Sequence, residues 1–500
     1  MVRLDDCHGG VESRGVSEGS AAVSKALSPG RPRASARRLI LPLALAQFIC
    51  SFAGSNMNVM ITDISDDLDT TVKGVQTAIT LFLLIMAILM IPCSKLSDRW
   101  GRKRCFTAGL VLYGIGALLS AAAPGLGILI LGNSVLEGIG TALLIPPVYI
   151  LTTLRFGDLT SRARAFGVIS GLGGIGAAAG PLIGGLITTA ISWRAAFVFQ
   201  AAVVALIVLL SRRVEDPLPA DPTRPFDTVG AILSAVGMFF VVFGILQADR
   251  DIVLLAVLLL AGAAFLTAFF LYTRGRERAG KEPLLSLTLF KNRTSNLGLA
   301  TQNIQWLLLM GVSFTVSVFL QTVRGYNAIQ TGVIFTAATL GVLASSLAAE
   351  RLAKRRPQRT LIMAGFVVSG AGIVLLLALI GASSRAVAFG PGLLLIGLGL
   401  GVMLTPSVNL VQSSFPETQQ GEISGLSRSI SNLGSSFGTA IAGTILVSDL
   451  ASGNTTYIIA MIVLVVLALV GLVAATMLPR GAQPSEIAPE LHRLPARAHT

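Results

Sequence analysis

Histidine is all but missing from this chain, and charge of either sign is scarce. The three histidines, His8, His492 and His499, all lie in the terminal tails. The body therefore has no imidazole to act as a general base or a metal ligand. The four cysteines, Cys7, Cys50, Cys93 and Cys105, are scattered without metal-site spacing or the pattern of a disulfide framework. They are expected to pack as small apolar side chains. Charged residues make up only 13% of the chain against 53% hydrophobic, and the mean hydropathy is +0.77. No soluble fold could bury that much apolar surface. There is no P-loop and no polar stretch long enough for a nucleotide-binding domain. A membrane-embedded enzyme would need clustered His, Asp or Glu, which the body lacks, so the chain is read as no enzyme, with no cofactor and no metal. The formal charge of +13 would suggest nucleic acid in a soluble protein. Here its placement excludes that partner and points to a lipid bilayer.

What the chain does have is long apolar runs and 53 glycines. A helix needs roughly 20 apolar residues to cross the hydrocarbon core. Such runs fall near 39–62, 75–94, 105–123, 127–151, 165–188, 195–211, 226–247, 252–273, 297–320, 328–349, 360–381, 388–409, 424–448 and 456–478. That is an all-α integral membrane protein of fourteen spans, numbered here in that order. Of the 38 Lys and Arg, only Lys73, Arg194, Arg250, Arg324 and Arg385 fall in one set of alternate loops, and only Arg428 lies inside a span. The first loop of that poor set is acidic, with Asp63, Asp66, Asp67 and Asp69. The rich set is expected on the cytoplasmic side of the cell membrane, and both termini with it. The organisation expected is a cytoplasmic tail over 1–38, six spans over 39–211, a linker with two spans over 212–293, six spans over 294–478 and a tail over 479–500.

Two segments carry more than hydropathy. Between spans 2 and 3 lies Ser94-Lys95-Leu96-Ser97-Asp98-Arg99-Trp100-Gly101-Arg102-Lys103-Arg104, a basic turn with one embedded acid. Asp98 can pair with the neighbouring arginines and accept backbone N–H groups at a helix start. In span 5, Gly167, Gly176, Gly180-Pro181 and Gly184-Gly185 place a small-residue stripe on one face, where another backbone can approach closely. Pro181 removes a backbone hydrogen bond and should kink the helix. Gly171 to Gly176 also fits G-x-G-x-x-G, but with no strand before it and no water-facing helix start it is no dinucleotide site.

The first segment resembles the signature loop of the major facilitator superfamily, matching at Leu96, Asp98, Arg99, Gly101, Arg102 and Lys103, with Ser94 in place of a glycine. The span 5 pattern is similar to that of the superfamily's antiporters. Phe226-Asp227, Pro283-Leu284-Leu285, Leu289 to Arg293, Leu320-Gln321, Gly325-Tyr326 and Gly425-Leu426 with Gly434 and Gly438 narrow the resemblance to the fourteen-span drug:proton antiporters, over about residues 39–478. The resemblance implies the major facilitator fold, two six-helix bundles with two extra helices between them. It implies export of small amphipathic compounds in exchange for protons by alternating access. Export of an endogenous metabolite, lipid or peptide by the same mechanism stays open, as does a passive channel.

Ionisable groups inside spans are functional candidates by default, and Glu137, in the middle of span 4, is the acid available. The family commonly has Arg at the place of Ser134, Gln at that of Glu137 and an acid at that of Ala53. Two roles are open for Glu137. It is the proton carrier, exchanging its proton as a cationic substrate enters a low-dielectric cavity, or it is a structural acid paired with Arg428. Asn56, Asn58, Tyr149, Gln302, Gln305 and Trp306 are candidates for lining the central cavity; the alternative is that the amides bond between helices and the aromatics pack.

Overall fold

The computed structural model describes residues 33–479 apart from 157–158, 213–215, 217–219, 224, 249–250, 354, 383–387, 417–418 and 448–453. The tails 1–32 and 480–500, with Cys7 and all three histidines, lie outside the described residues.

A chain surrounded by hydrocarbon must satisfy its own N–H and C=O groups, and helices do so within each segment. Among the described residues there are helices and no strands. Span 1, Arg33–Asn56, runs on through a short turn, Met57–Val59, to a small helix, Ile61–Asp67. Spans 2 and 3 are Val72–Trp100 and Arg102–Ala121. Span 4 changes register twice: Leu126–Leu129 and Gly138–Arg155 are α-helical, and Ile130–Glu137 between them is a π-helix. Spans 5 and 6 are Leu159–Ala190 and Trp193–Ser211; spans 7 and 8 are Thr228–Leu246 and Ile252–Arg278. Span 9, Arg293–Val318, ends in a π turn, Phe319–Val323. Spans 10 to 14 are Ala328–Ala353, Gln358–Ala382, Phe389–Gln412, Gln420–Val447 and Asn454–Thr476. Thirteen of these are long and apolar enough to cross a membrane unaided; the bent pair Gly167–Ala177 and Ala179–Ala190, 44° apart, makes span 5 the fourteenth. The bend falls where Pro181 leaves the carbonyl four residues earlier without its donor. The loop with Asp63 to Asp69 marks what is called here the acidic face, and the signature loop marks the basic face.

Spans 1 to 6 pack on one another, spans 9 to 14 do likewise, and spans 7 and 8 form a hairpin. Glycine sets the closest approaches. Gly176 and Gly180 lie against the backbone of span 1 at Phe48 and Phe52, and Gly434 and Gly438 against that of span 9 at Asn303 and Leu307. A side chain at Gly176, Gly434 or Gly438 would need space a backbone already fills, and one at Gly180 would strike the Ser55 hydroxyl.

The two halves meet along two seams. Spans 2 and 13 touch over their whole length: Gly425 faces Ser94, Ser429 donates to Ala87 O, Ser436 to Thr80 O, and Gln76 Nε2 to Thr439 O and Ala440 O. Spans 5 and 10 meet toward the acidic face, where Gly185 abuts Ala328 and Ile329, and Gly332 abuts Pro181 and Leu182. Below the bend, Gly174, Gly171 and Gly167 have open space where a side chain would stand. Near the acidic face, Gln321 in the π turn of span 9 accepts from Thr62 N and Oγ1 at 3.2 and 3.1 Å and donates to Asn58 O at 2.8 Å. Among the described residues the 5–10 seam is thus in contact on the acidic side of the bend, while the span 5 glycines on the basic side of it face open space.

The hairpin of spans 7 and 8 is tied down at the basic face. Asp227, buried to 1% of its side chain, accepts from Gly230 N and Leu284 N at 3.0 Å and lies 3.6 Å from Arg276 Nε. Lys95 joins three parts of the chain, at 3.2 Å from Glu282 in the linker and 2.5 Å from Glu422 at the start of span 13.

Two expected outcomes follow from these contacts. Asp227→Ala leaves two backbone donors and a guanidinium without their acceptor, and should cost about 1–3 kcal/mol, read as a lower unfolding temperature in detergent. On the acidic face, the hydrogen bond from Arg194 holds the Asp67 carboxyl below the usual carboxylate range, against a smaller opposing effect of burial, and Trp193 Nε1 donates to the same oxygen at 3.0 Å. A depressed carboxyl contributes its stabilisation above its ordinary range and loses it as the pH falls through the lowered value. Trp193 fluorescence should therefore be flat near neutrality and change on strong acidification, and in Asp67→Asn the acid-dependent change should be lost.

Candidate functional site

A cavity lies between the halves at mid-span. Phe82, Met86, Met90, Ile145, Trp306 and Met310 form its apolar wall. Gln47, Ser51, Asn432 and Ser435 supply neutral polar groups. Among the described residues that line it, Arg428 alone is charged. Its water-accessible volume is about 60 Å³, well under the roughly 300–1,000 Å³ of ordinary small-molecule sites. The halves are thus drawn together around the midplane, and a bound compound requires them to part further.

Arg428 reaches across to span 4. Its Nη2 donates to the Tyr149 hydroxyl, and its Cζ stands 4.8 Å over the Tyr149 ring, a cation–π geometry. Tyr149 in turn donates to Gln47 Oε1 at 3.2 Å. Glu137 is elsewhere. Tyr149 stands more than three turns along span 4 from it, roughly 18 Å at the rise of an α-helix. The structure does not bring Glu137 and Arg428 together, so of the two roles left open by the sequence the structural pair with Arg428 is absent.

Glu137 closes the π segment and is fully buried between spans 3 and 4. These spans cross on glycines: a side chain at Gly116 would fall 2.7 Å from Gly132 O and 2.9 Å from Glu137 Cγ, and one at Gly140 would fall 2.7 Å from Tyr113 N. The hydroxyls of Tyr113 and Ser120 stand beside the carboxyl, outside hydrogen-bonding geometry, and neither carboxyl oxygen has a partner. Tyr113 donates instead to Gln200 Oε1 at 2.5 Å. Toward the cavity, Thr141, one turn on from Glu137, adjoins the thiol of Cys50, which is itself part of the cavity wall. The acid therefore sits behind the wall.

Of the residues proposed from sequence to line the cavity, Trp306 does and Tyr149 stands at its edge through Gln47 and Arg428. Gln302 and Gln305 are tethers. Gln302 bonds Ser431 and Ser427 at 2.8 and 2.9 Å, and Gln305 Nε2 donates to Leu400 O at 3.4 Å, all among spans 9, 12 and 13. Asn56 is buried against Gly184, and the Asn58 carbonyl serves Gln321. A glutamine in a span satisfies its amide on the neighbouring helix before it can face water.

In the signature loop, Gly101 has φ +96°, a backbone that only glycine adopts easily, and it breaks the chain between spans 2 and 3. Asp98 pairs with Arg102 at 2.6 Å. The N–H groups at the start of span 3, those of Arg102 and Lys103, go to Asp216 Oδ2 at 2.7 and 3.3 Å. This corrects the expectation that Asp98 caps that helix: Asp98 lies within span 2, and its side chain is taken by a guanidinium one turn on. Lys103 Nζ donates to Arg212 O at 3.3 Å, and Arg99 forms no ion pair among the described residues. Asp216 sits in a proline-rich linker, and nothing in its local pattern signals a role. The partners of Lys95, Gln76 and Gln321 were equally invisible, since they are remote in sequence. In span 5, Gly176, Gly180 and Gly184 lie on span 1 and Gly185 on span 10, next to Pro181; Gly167 departs from the stripe and meets nothing.

The chain matches the family model of the Major Facilitator Superfamily over residues 43–439, and again over 299–496. It is 30% identical over 416 residues to the puromycin resistance protein pur8 of Streptomyces alboniger, covering 81% of each chain. It is 26% identical over 415 residues to the multidrug resistance protein Stp of Mycobacterium tuberculosis, covering 83% of this chain and 76% of that one. With the multidrug efflux pump LfrA of Mycolicibacterium smegmatis it shares 27% over 404 residues, 81% of this chain and 79% of the other. The chain belongs to the major facilitator superfamily, in the company of drug-resistance exporters.

Proposed function

We propose that this protein is a proton-coupled exporter of small amphipathic compounds in the cell membrane, working by alternating access, with its basic face and both termini in the cytoplasm. The observation that carries the reading is the central cavity between two halves whose 5–10 seam is in contact toward the acidic face, while the span 5 glycines toward the basic one face open space. A compound would enter from the basic side and leave after the halves rock the other way. The names of the relatives support export of drug-like molecules, and the alternating distribution of Lys and Arg supports the orientation.

Glu137 is the proton site in this reading. An ionised carboxylate with neither oxygen bonded would be a buried, unpaired charge, so the packing of spans 3 and 4 described above suits the protonated acid. Losing the proton requires the seam at Gly116 to loosen. The π turn supplies a means: taking up its extra residue rotates the carboxyl by about 100° relative to the helix beyond it. Coupling then works through the packing of span 4. A substrate displacing the proton from within the cavity is not required, because the acid is not on the cavity wall.

In cells lacking their own pumps, wild type should lower the accumulation of a fluorescent amphipathic dye, and a protonophore should abolish the effect. Glu137→Gln should reach the membrane at wild-type levels and lose the gradient-driven export. Full gradient-driven export by that variant would remove Glu137 from the mechanism, and export indifferent to the protonophore would remove proton coupling altogether.

A further inference from the structure

We propose that the central cavity selects compounds carrying an anionic group, a carboxylate or similar oxyanion on an aromatic or amphipathic body, and that Arg428 receives that group; this rests on the export reading above. The charge lining the cavity is one guanidinium, and no acid stands among the described residues of its wall. A guanidinium at mid-span is costly unless something compensates it. Among the described residues no carboxylate forms an ion pair with Arg428: its partner is the neutral Tyr149, through one N–H and the ring face. Arginine has five donors in a planar fork suited to a two-oxygen anion, and Tyr149 engages one of them. Tyr149 is also an exchangeable partner, because its hydroxyl has Gln47 as a second neighbour.

The surroundings fit a bound anion. Asn432, one turn along span 13 from Arg428, lines the cavity with an amide that bonds no described residue, and Ser51 and Ser435 add hydroxyls to the lining. Trp306, Phe82 and the thioethers of Met86 and Met310, which line the same cavity, offer a flat and adaptable apolar wall for an aromatic body. A cationic compound would place its charge against an uncompensated guanidinium with no acid in the wall to hold it. The cavity chemistry thus runs opposite to the cationic substrate expected from sequence.

Two xanthene dyes of similar size separate the cases: carboxyfluorescein, an anion, and rhodamine 123, a cation. Binding is read by fluorescence anisotropy on the purified full-length protein in nanodiscs, and export by proteoliposomes under an imposed proton gradient. Wild type should bind carboxyfluorescein at least about tenfold more tightly than rhodamine 123. Arg428→Gln should lose that preference without losing rhodamine 123 binding, and Arg428→Lys should keep part of it. Tyr149→Phe, which frees a donor of Arg428, should bind carboxyfluorescein about threefold more tightly, an effect that a purely structural Arg428–Tyr149 contact would not produce. Equal loss of both dyes in Arg428→Gln, preference of wild type for rhodamine 123, or no binding of carboxyfluorescein would each overturn the proposal. Arg428-dependent binding of the anion without gradient-driven export would keep the proposal and sink the export reading; gradient-driven export without charge preference would do the reverse.

Discussion

Lipid gives helices no hydrophobic reason to associate, so this fold depends on how closely its backbones can approach. Glycine permits that approach at each junction that matters. Gly176 and Gly180 seat span 5 on span 1, Gly434 and Gly438 seat span 13 on span 9, and Gly116, Gly132 and Gly140 bring spans 3 and 4 into contact around Glu137. Gly185 and Gly332 close the seam between the halves on the acidic side. Close contact brings dispersion and weak backbone interactions into play, and it leaves polar side chains only a neighbouring helix to bond. The buried serines and glutamines of spans 2, 9 and 13 do this, mostly on main-chain carbonyls.

Polar groups thus divide into two kinds. Those that bond a neighbouring carbonyl hold helices together, and among those that do not, Arg428, Asn432 and Glu137 differ in where they stand. Arg428 and Asn432 open onto the cavity, while Glu137 is sealed behind it. The distance between the acid and the cavity makes the packing of span 4 the physical link between them, and the π-helical stretch places the least regular backbone of that span at the acid itself.

Much of the architecture was legible in the sequence because it depends on local properties. Apolar length locates each span, charge alternation assigns the faces, and Pro181 marks the bend in span 5. Gly176, Gly180 and Gly184 pack as their spacing suggested, since four-residue spacing keeps them on one helix face. The candidate site was legible only in part. Glu137 and Arg428 stood out as charges within spans, yet whether they meet depends on how spans 4 and 13 are turned about their axes, which no local pattern encodes. Gln302 and Gln305 could line a cavity or bond a neighbouring helix; their orientation decides for the second, on spans 13 and 12. The π turns leave no trace in composition, and the service Asp216 gives to span 3 spans more than a hundred residues of chain.

Lys95 has a further consequence for movement. Its ammonium group is shared by two carboxylates from different parts of the chain, Glu422 on span 13 and Glu282 in the linker. If spans 2 and 13 also part at the basic face and Glu422 withdraws, Glu282 still neutralises the lysine. The charge is handed over and never stripped, so the motion avoids the cost of baring an ion near the membrane surface. A single carboxylate would act as a lock; two in competition act as a bearing, on which the halves can turn with little electrostatic friction.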